Sequence, residues 1–257
     1  MNFWQALVLG AVQGLTEFLP VSSSGHLLLV QQWLNIDVES NLLLSVLLHL
    51  GTLVAVSVVL HKYVFETIKN PKKLLLWVVA SVPAGLIGFL FSDILDKYLY
   101  STKVLPYTFL TTAVVLLVCQ YVAKRTQKTY QVNTKIAIFM GIGQALAVIP
   151  GLSRSGCTIS AGVFAKGEKE EVAKFSFLMS IPVILGSLLL QVVKIALQPK
   201  DVVLLGSTPW YNLATAVATS AIMGIIAIKL LLKLIQKADY KWFSVYLTAL
   251  AIVLFII

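Results

Sequence analysis

Two short stretches carry nearly all the side chains able to do chemistry in an otherwise apolar chain. The first runs from Gln13 through Glu17 to Ser22, Ser23, Ser24 and His26, and the second from Ser153 through Arg154 and Ser155 to Thr158. Gln13 and Glu17 are four apart, which puts them on one face of a helix, and His26 follows a break at Leu19-Pro20-Val21. A carboxylate, an amide, hydroxyls and an imidazole therefore converge from one segment. Arg154 brings a planar, permanently charged fork suited to phosphate oxygens. Ser153, Ser155 and Thr158 add hydroxyls around it, and Gly151 and Gly156 let backbone approach closely. Helices starting after Pro20 and Pro150 would aim free N–H groups at the same point. An ionisable group at membrane depth is costly and marks a functional site, and Glu17 and Arg154 occupy the middles of two apolar segments. Together they describe an anion site facing an acid/base and nucleophile set. The alternative is a buried Glu17–Arg154 ion pair that only locks two segments together. Ser22 reads as a helix cap, and His49 as a partner in a hydrogen bond between helices.

The elements that must position these residues belong in a bilayer. Of the 257 residues, 58% are hydrophobic and 12% charged, and the mean hydropathy is +0.90, more apolar surface than one soluble core uses. Six runs, about 41–60, 74–92, 104–122, 172–194, 210–232 and 242–257, are long enough to cross, the last only just. Residues 2–34 and 135–165 are apolar but interrupted mid-run by the polar turns above, so each reads as a re-entrant helical hairpin. The net charge of +9 excludes no membrane role and suggests no nucleic-acid partner, because the cations lie in loops between spans. Cys119 and Cys157 have neither disulfide-framework nor zinc spacing. The absence of Lys or Arg before Lys62 argues against a secretory signal. Alternating the loops gathers most cations, Lys128 among them, on one face, with Lys97, Lys103, Lys194 and Lys200 on the other; by the positive-inside rule both termini face out. Trp77, Trp210 and Trp242 read as interfacial belt residues.

Gly10-Ala11-Val12-Gln13 and Gly141-Ile142-Gly143-Gln144 match at a constant offset that also aligns Ser22-Ser23-Ser24-Gly25 with Ser153-Arg154-Ser155-Gly156. Each copy is a hairpin followed by three spans, an odd number, so the second hairpin must enter from the opposite face. The expected fold is all-α: one membrane domain over 1–257, six transmembrane helices plus two re-entrant hairpins, in an inverted-topology repeat with halves about 1–125 and 132–257.

The run Gln13-Gly14-Leu15-Thr16-Glu17-Phe18-Leu19-Pro20-Val21-Ser22-Ser23-Ser24-Gly25-His26 resembles the first signature of the bacterial undecaprenyl-diphosphate phosphatases associated with bacitracin resistance. Pro150-Gly151-Leu152-Ser153-Arg154-Ser155-Gly156-Cys157-Thr158 is similar to their second, and Leu50-Gly51-Thr52-Leu53-Val54-Ala55 and Phe175-Ser176-Phe177-Leu178 extend the likeness along the chain. Gln13 stands where many relatives carry glutamate, and Ser24 where threonine is frequent. The resemblance implies hydrolysis of a polyprenyl diphosphate in the bacterial plasma membrane, with the active site open to the outer face. It implies Glu17, Ser23, His26 and Arg154 as catalytic, and Gln13, Ser24, Ser153, Ser155 and Thr158 as substrate-binding. It also implies a divalent cation, magnesium or calcium, at Glu17. The expected partners are the lipid substrate, the bilayer and a second copy of the chain as a homodimer. The nucleophile is left open among Ser23, His26 and an activated water. Two other classes compete. A transporter or flippase for a lipid phosphate shares the broken-helix repeat but does not need the groups facing the anion site. An acid-phosphatase-type enzyme shares Ser24-Gly25-His26, but Ser153-Arg154 leads to Ser160 where that type needs histidine.

Overall fold

The computed structural model describes residues 1–36, 42–98, 101–197, 208–237 and 239–256. Each interrupted apolar segment folds as a pair of short helices, and each uninterrupted one as a single longer helix. The first pair is α1 (Phe3–Phe18) and α2 (Ser23–Trp33), followed by α3 (Leu42–Val59), α4 (His61–Lys69), α5 (Pro71–Tyr98) and α6 (Leu105–Arg125). The second pair is α7 (Thr134–Leu146) and α8 (Arg154–Phe164), followed by α9 (Lys169–Leu197), α10 (Trp210–Gln236) and α11 (Lys241–Ile256). By length and composition, stretches of α5, α6, α9 and α10 are each able to cross a membrane, and α3 with α4 passes as a pair bent by 77°. The 16-residue α11 is apolar but short, as its sequence led one to expect. Lys200 lies outside the described residues.

The exterior is that of a protein solvated by lipid. Leu75, Phe89 and Leu90 on α5 and Leu189 on α9 are exposed, while Gln13, Gln144, Ser176 and Ser220 are buried. Without a hydrophobic drive between helices, close backbone approach and hydrogen bonds hold such a bundle together. A Cβ on Gly10 would stand 2.5 Å from the carbonyl oxygen of Ala216, and one on Gly14 would run into that of Ser220, so α1 lies directly on α10. Ser220 donates to the Leu48 carbonyl at 2.8 Å, joining α10 to α3, and Ser244 donates to the Ala113 carbonyl at 2.8 Å, joining α11 to α6. Hydrogen bonds of this kind contribute roughly 0.6 kcal/mol each in membrane helices.

The repeat read from the sequence extends to the packing. Asn2 and Asn133, separated by the same offset as Gly10 and Gly141, both cap their helices, accepting from Gln5 N at 2.9 Å and from Ile136 N at 3.2 Å. Gly141 lies against the Ala80 carbonyl of α5 as Gly10 lies against α10. Exchanging the halves turns the α1–α10 pairing into α7–α5, and α3–α10 into α9–α5, and both members of each exchange are present.

Two expectations change. The cations after the first long span do not sit in a plain loop: α4 is an amphipathic helix with Phe65 and Ile68 exposed, Lys69 stacked over Phe65, and Tyr63 donating to Glu171 of α9 at 3.1 Å. Trp77 is not a belt residue, because its indole N–H donates to the Leu178 carbonyl at 3.0 Å and thereby ties α5 to α9. Trp210 and Trp242 are exposed, as belt residues are.

Candidate active site

The first turn is shaped by proline and by one unusual backbone angle. Leu19 leaves α1 in an extended conformation, as the residue before Pro20 must. Ser22 then takes φ 73°, a left-handed region costly for a residue with a Cβ, and its hydroxyl caps α2 by accepting from Gly25 N at 3.3 Å. Strain of this kind persists where its surroundings impose it, and here it places Ser23 as the first residue of α2. In the second turn Gly151 takes φ 86°, and a Cβ there would collide with the Thr108 hydroxyl. Ser153 caps α8 by accepting from Gly156 N at 3.0 Å, so Arg154 opens that helix as Ser23 opens α2.

The turns are stitched to each other. Gly151 N donates to Ser24 Oγ at 3.3 Å, and Ser155 Oγ, the repeat counterpart of Ser24, donates to the Leu19 carbonyl at 3.0 Å. This brings both helix N-termini to one buried point.

At that point Glu17, 7% exposed, gathers the charged chemistry. Arg154 Nη2 reaches Glu17 Oε1 at 2.7 Å. Ser23 Oγ donates to Glu17 Oε2 at 2.5 Å, and Gln13 Nε2 donates to the same oxygen at 3.2 Å. His49 Nε2 stands 3.9 Å from Glu17 Oε2, while its Nδ1 turns to the Ser45 carbonyl at 2.7 Å. His49 therefore belongs to the centre, correcting its reading as an inter-helix hydrogen-bonding group: the Nδ1 bond stays within α3. Glu17 and Arg154 do form the ion pair, and the other Glu17 oxygen accepts from the Ser23 hydroxyl and the Gln13 amide, which satisfies the lone pairs a buried carboxylate leaves over.

The remaining expected residues divide. His26 does not join the Glu17 centre through a hydrogen bond. Its Nδ1 is 2.7 Å from the Ser22 carbonyl, which only accepts, so Nδ1 carries the proton, and in the neutral ring Nε2 accepts from Tyr246 of α11 at 2.6 Å. The ring stacks against Tyr246. Ser153, Ser155 and Thr158, expected to offer hydroxyls to an anion, are spent on the frame instead: Ser153 as a cap, Ser155 on Leu19, and Thr158 on the Arg154 carbonyl at 2.8 Å and on Ser176 Oγ at 2.6 Å. Ser24 likewise accepts from Gly151. The groups there able to donate to an anion are Arg154, the Ser24 O–H, which its bond from Gly151 does not use, and the N-terminal turns of α2 and α8. Tyr246 and Thr112, which accepts from Ser153 N at 3.3 Å, carried no local signal in the sequence, and Ser176 stood in the run Phe175-Ser176-Phe177-Leu178 with no role attached to it.

A hard divalent cation takes oxygen ligands, and magnesium is commonly held by one or two carboxylates together with substrate phosphates. The centre offers one carboxylate, the Ser23 hydroxyl, and Gln13 Oε1, which is buried without a partner. Among the described residues there is no group of three His, Cys, Asp or Glu able to hold a metal by themselves. The donor set fits a cation shared with a phosphate and not an all-protein cage.

Residues 6–253 match the family described as "Bacitracin resistance protein BacA". The chain is 36% identical over 260 residues to an undecaprenyl-diphosphatase of Carboxydothermus hydrogenoformans, covering 100% of this chain and 98% of that one. It is 37% identical over 278 residues to one of Methanobrevibacter smithii, covering 99% and 97%. Against undecaprenyl-diphosphatase 4 of Bacillus cereus the identity is 36% over 256 residues, covering 99% and 96%.

Proposed function

The chain belongs to the bacitracin resistance protein BacA family, and we propose that it is an integral membrane phosphatase that hydrolyses undecaprenyl diphosphate to undecaprenyl phosphate and inorganic phosphate. This reaction recycles the lipid carrier of cell-wall synthesis and confers bacitracin resistance. The observation that carries the reading is Glu17 holding Arg154 and the Ser23 hydroxyl on its two oxygens, at 2.7 and 2.5 Å. A lipid-phosphate carrier needs the cation but not the activated hydroxyl. Purified protein in detergent, where no compartments exist, is expected to release phosphate from undecaprenyl diphosphate; a preparation that binds this lipid but releases none would return the function to transport.

The geometry supports Ser23 as the nucleophile. Its Oγ forms a bond to the terminal phosphorus while the bond from that phosphorus to the bridging oxygen breaks, and undecaprenyl phosphate departs with that oxygen. Glu17 takes the Ser23 proton, and water then hydrolyses the phosphoserine, releasing inorganic phosphate. Arg154 pairs with the transferring phosphoryl oxygens, helped by the free N–H groups of α2 and α8. His26, with both ring nitrogens engaged, holds the Ser22 carbonyl and hence the turn. Glu17 and Gln13 Oε1 would hold a divalent cation, magnesium or calcium, whose charge offsets that of the diphosphate.

Arg154→Lys retains the charge but not the fork that spans Glu17 and a phosphate. It is expected to lower kcat/KM by about a hundredfold with the melting point in detergent little changed. Near-normal turnover would reduce Arg154 to a structural partner of Glu17.

We place the helices as six crossings and two re-entrant hairpins of opposite entry, with both termini and the active site on the outer face, on the strength of the cation distribution and the repeat. Cys119 and Cys157 are buried, so a cysteine introduced at Lys128 reports cleanly. It is expected to resist an impermeant thiol reagent in intact cells, and reaction from outside would invert the orientation.

A further inference from the structure

Beside the Glu17 centre a second feature has no role in the chemistry above. A cleft of about 660 Å³ opens between α5 and α9, and its third side comes from the second hairpin. Its walls are apolar, with Val78, Val82 and Phe89 on α5 and Val183 and Leu190 on α9. The hydroxyls in the lining are satisfied within their own helices: Ser81 donates to the Trp77 carbonyl at 2.8 Å and Ser187 to the Ile184 carbonyl at 2.9 Å.

Two side chains from the second hairpin break that pattern. Arg154 lines the cleft while reaching Glu17, so the cleft and the centre share a wall. Gln144, 2% exposed, lines it too, and both atoms of its amide are buried without a hydrogen-bond partner. Gln144 is the repeat counterpart of Gln13, whose amide N–H is used on Glu17. An unmatched buried amide is a cost to the fold that an apolar side chain of similar size would avoid. The room in the cleft depends on glycine: a Cβ at Gly85, Gly88 or Gly186 would meet nothing within 4 Å.

Apolar walls ending at a cation and a free amide match an amphiphile with a hydrocarbon chain and an anionic head. Resting on the phosphatase reading, we propose that this cleft seats the first isoprene units of the lipid diphosphate, and that Gln144 donates its amide N–H to the lipid-proximal phosphate. The rest of the chain remains in the bilayer, which the cleft meets sideways. The seat holds the head beside Arg154 with the terminal phosphorus toward Ser23, and the tail contacts strengthen binding of substrate and transition state alike, so their loss falls on KM.

The test uses the full chain in detergent with undecaprenyl diphosphate, measuring kcat, KM and thermal midpoint. Gly85→Leu and Gly186→Leu put a branched side chain on opposite walls of the cleft, where a Cβ meets nothing within 4 Å, and each is expected to raise KM about tenfold or more while kcat at saturation stays within about twofold. Gln144→Leu is expected to lower kcat/KM about tenfold while the thermal midpoint holds or rises, an outcome that a structural glutamine would not give. Unchanged KM in both leucine variants, or a fall in kcat alone, overturns the seat; full activity in Gln144→Leu overturns the role of Gln144. Should either glycine variant fail to fold, photolabelling of wild-type protein with a benzophenone-tagged polyprenyl diphosphate decides: label on α5 and α9 supports the seat, and label confined to other helices overturns it. Wild-type protein that releases no phosphate would sink the phosphatase reading itself, a result separable from all of these.

Discussion

Ser23→Ala is expected to lower phosphate release from undecaprenyl diphosphate by at least about 10³-fold while leaving the protein folded. The magnitude follows from what the substitution removes: the one hydroxyl held at 2.5 Å from the buried carboxylate, on the first residue of a helix whose N-terminus faces the anion site. The fold should survive because Glu17 keeps Arg154 and Gln13 as partners, and the cap of α2 belongs to Ser22. Ser22→Ala is the matched control: it loses a cap worth about 1 kcal/mol and should show in the melting point far more than in turnover. Terminally radiolabelled lipid diphosphate, quenched in acid, should leave label on Ser23 in the wild type and none in Ser23→Ala. If Ser23→Ala retains a tenth or so of the wild-type rate, the attacking oxygen is water beside Glu17, and Ser23 only positions the carboxylate.

The parts of this site that were legible in the sequence are those that local chemistry dictates. Pro20 and Pro150 lie in the turns that follow α1 and α7, Ser22 and Ser153 cap the next helices, and a charge in each apolar run marks where the two breaks meet. The internal repeat was legible because offset alone reveals it, and it reaches down to the paired caps Asn2 and Asn133. What was not legible depends on how a helix is rotated in the bundle. His49 sits one helix away from Glu17, and only the packing of α3 decides that its Nε2 faces the carboxylate. Tyr246 meets His26 from the far end of the chain, and no spacing rule links α2 to α11. The hydroxyls of Ser153, Ser155 and Thr158 looked like ligand donors because composition counts them without showing their partners: Ser153 accepts from Gly156 N and lies 3.3 Å from Ser155 Oγ, Ser155 donates to Leu19, and Thr158 bonds the Arg154 carbonyl and Ser176. The amphipathic α4 was within reach of a periodicity argument, since Tyr63, Thr67 and the exposed Phe65 and Ile68 separate by face, but its lysines drew attention to sidedness instead.

Glu17→Gln is the substitution with consequences on every side of the centre. The carboxylate balances Arg154, accepts the Ser23 hydroxyl and, among the described residues, is the acidic group at the centre that would share a cation with the substrate. An amide of the same shape still accepts from Arg154 through its oxygen, but it turns N–H groups toward Ser23 and Gln13, whose N–H already points there. Arg154 then stands as a partly buried cation without its counter-charge, a condition that costs stability, so a lower melting point in detergent is expected, and the rate must be compared on protein that elutes as a single folded species. On such protein, turnover should fall about 10³-fold, because proton acceptance from Ser23 is lost along with the charge. Titrating magnesium and calcium should give a steep response in the wild type and a nearly flat one in Glu17→Gln, whereas Glu17→Asp, which keeps the charge on a shorter stem, should retain a response shifted to higher concentration. A Glu17→Gln protein with the wild-type rate and the wild-type metal curve would remove the carboxylate from both roles. Catalysis would then have to be rebuilt around His26 and Tyr246, a second pair of titratable groups that the fold brings together from its two halves beside these turns.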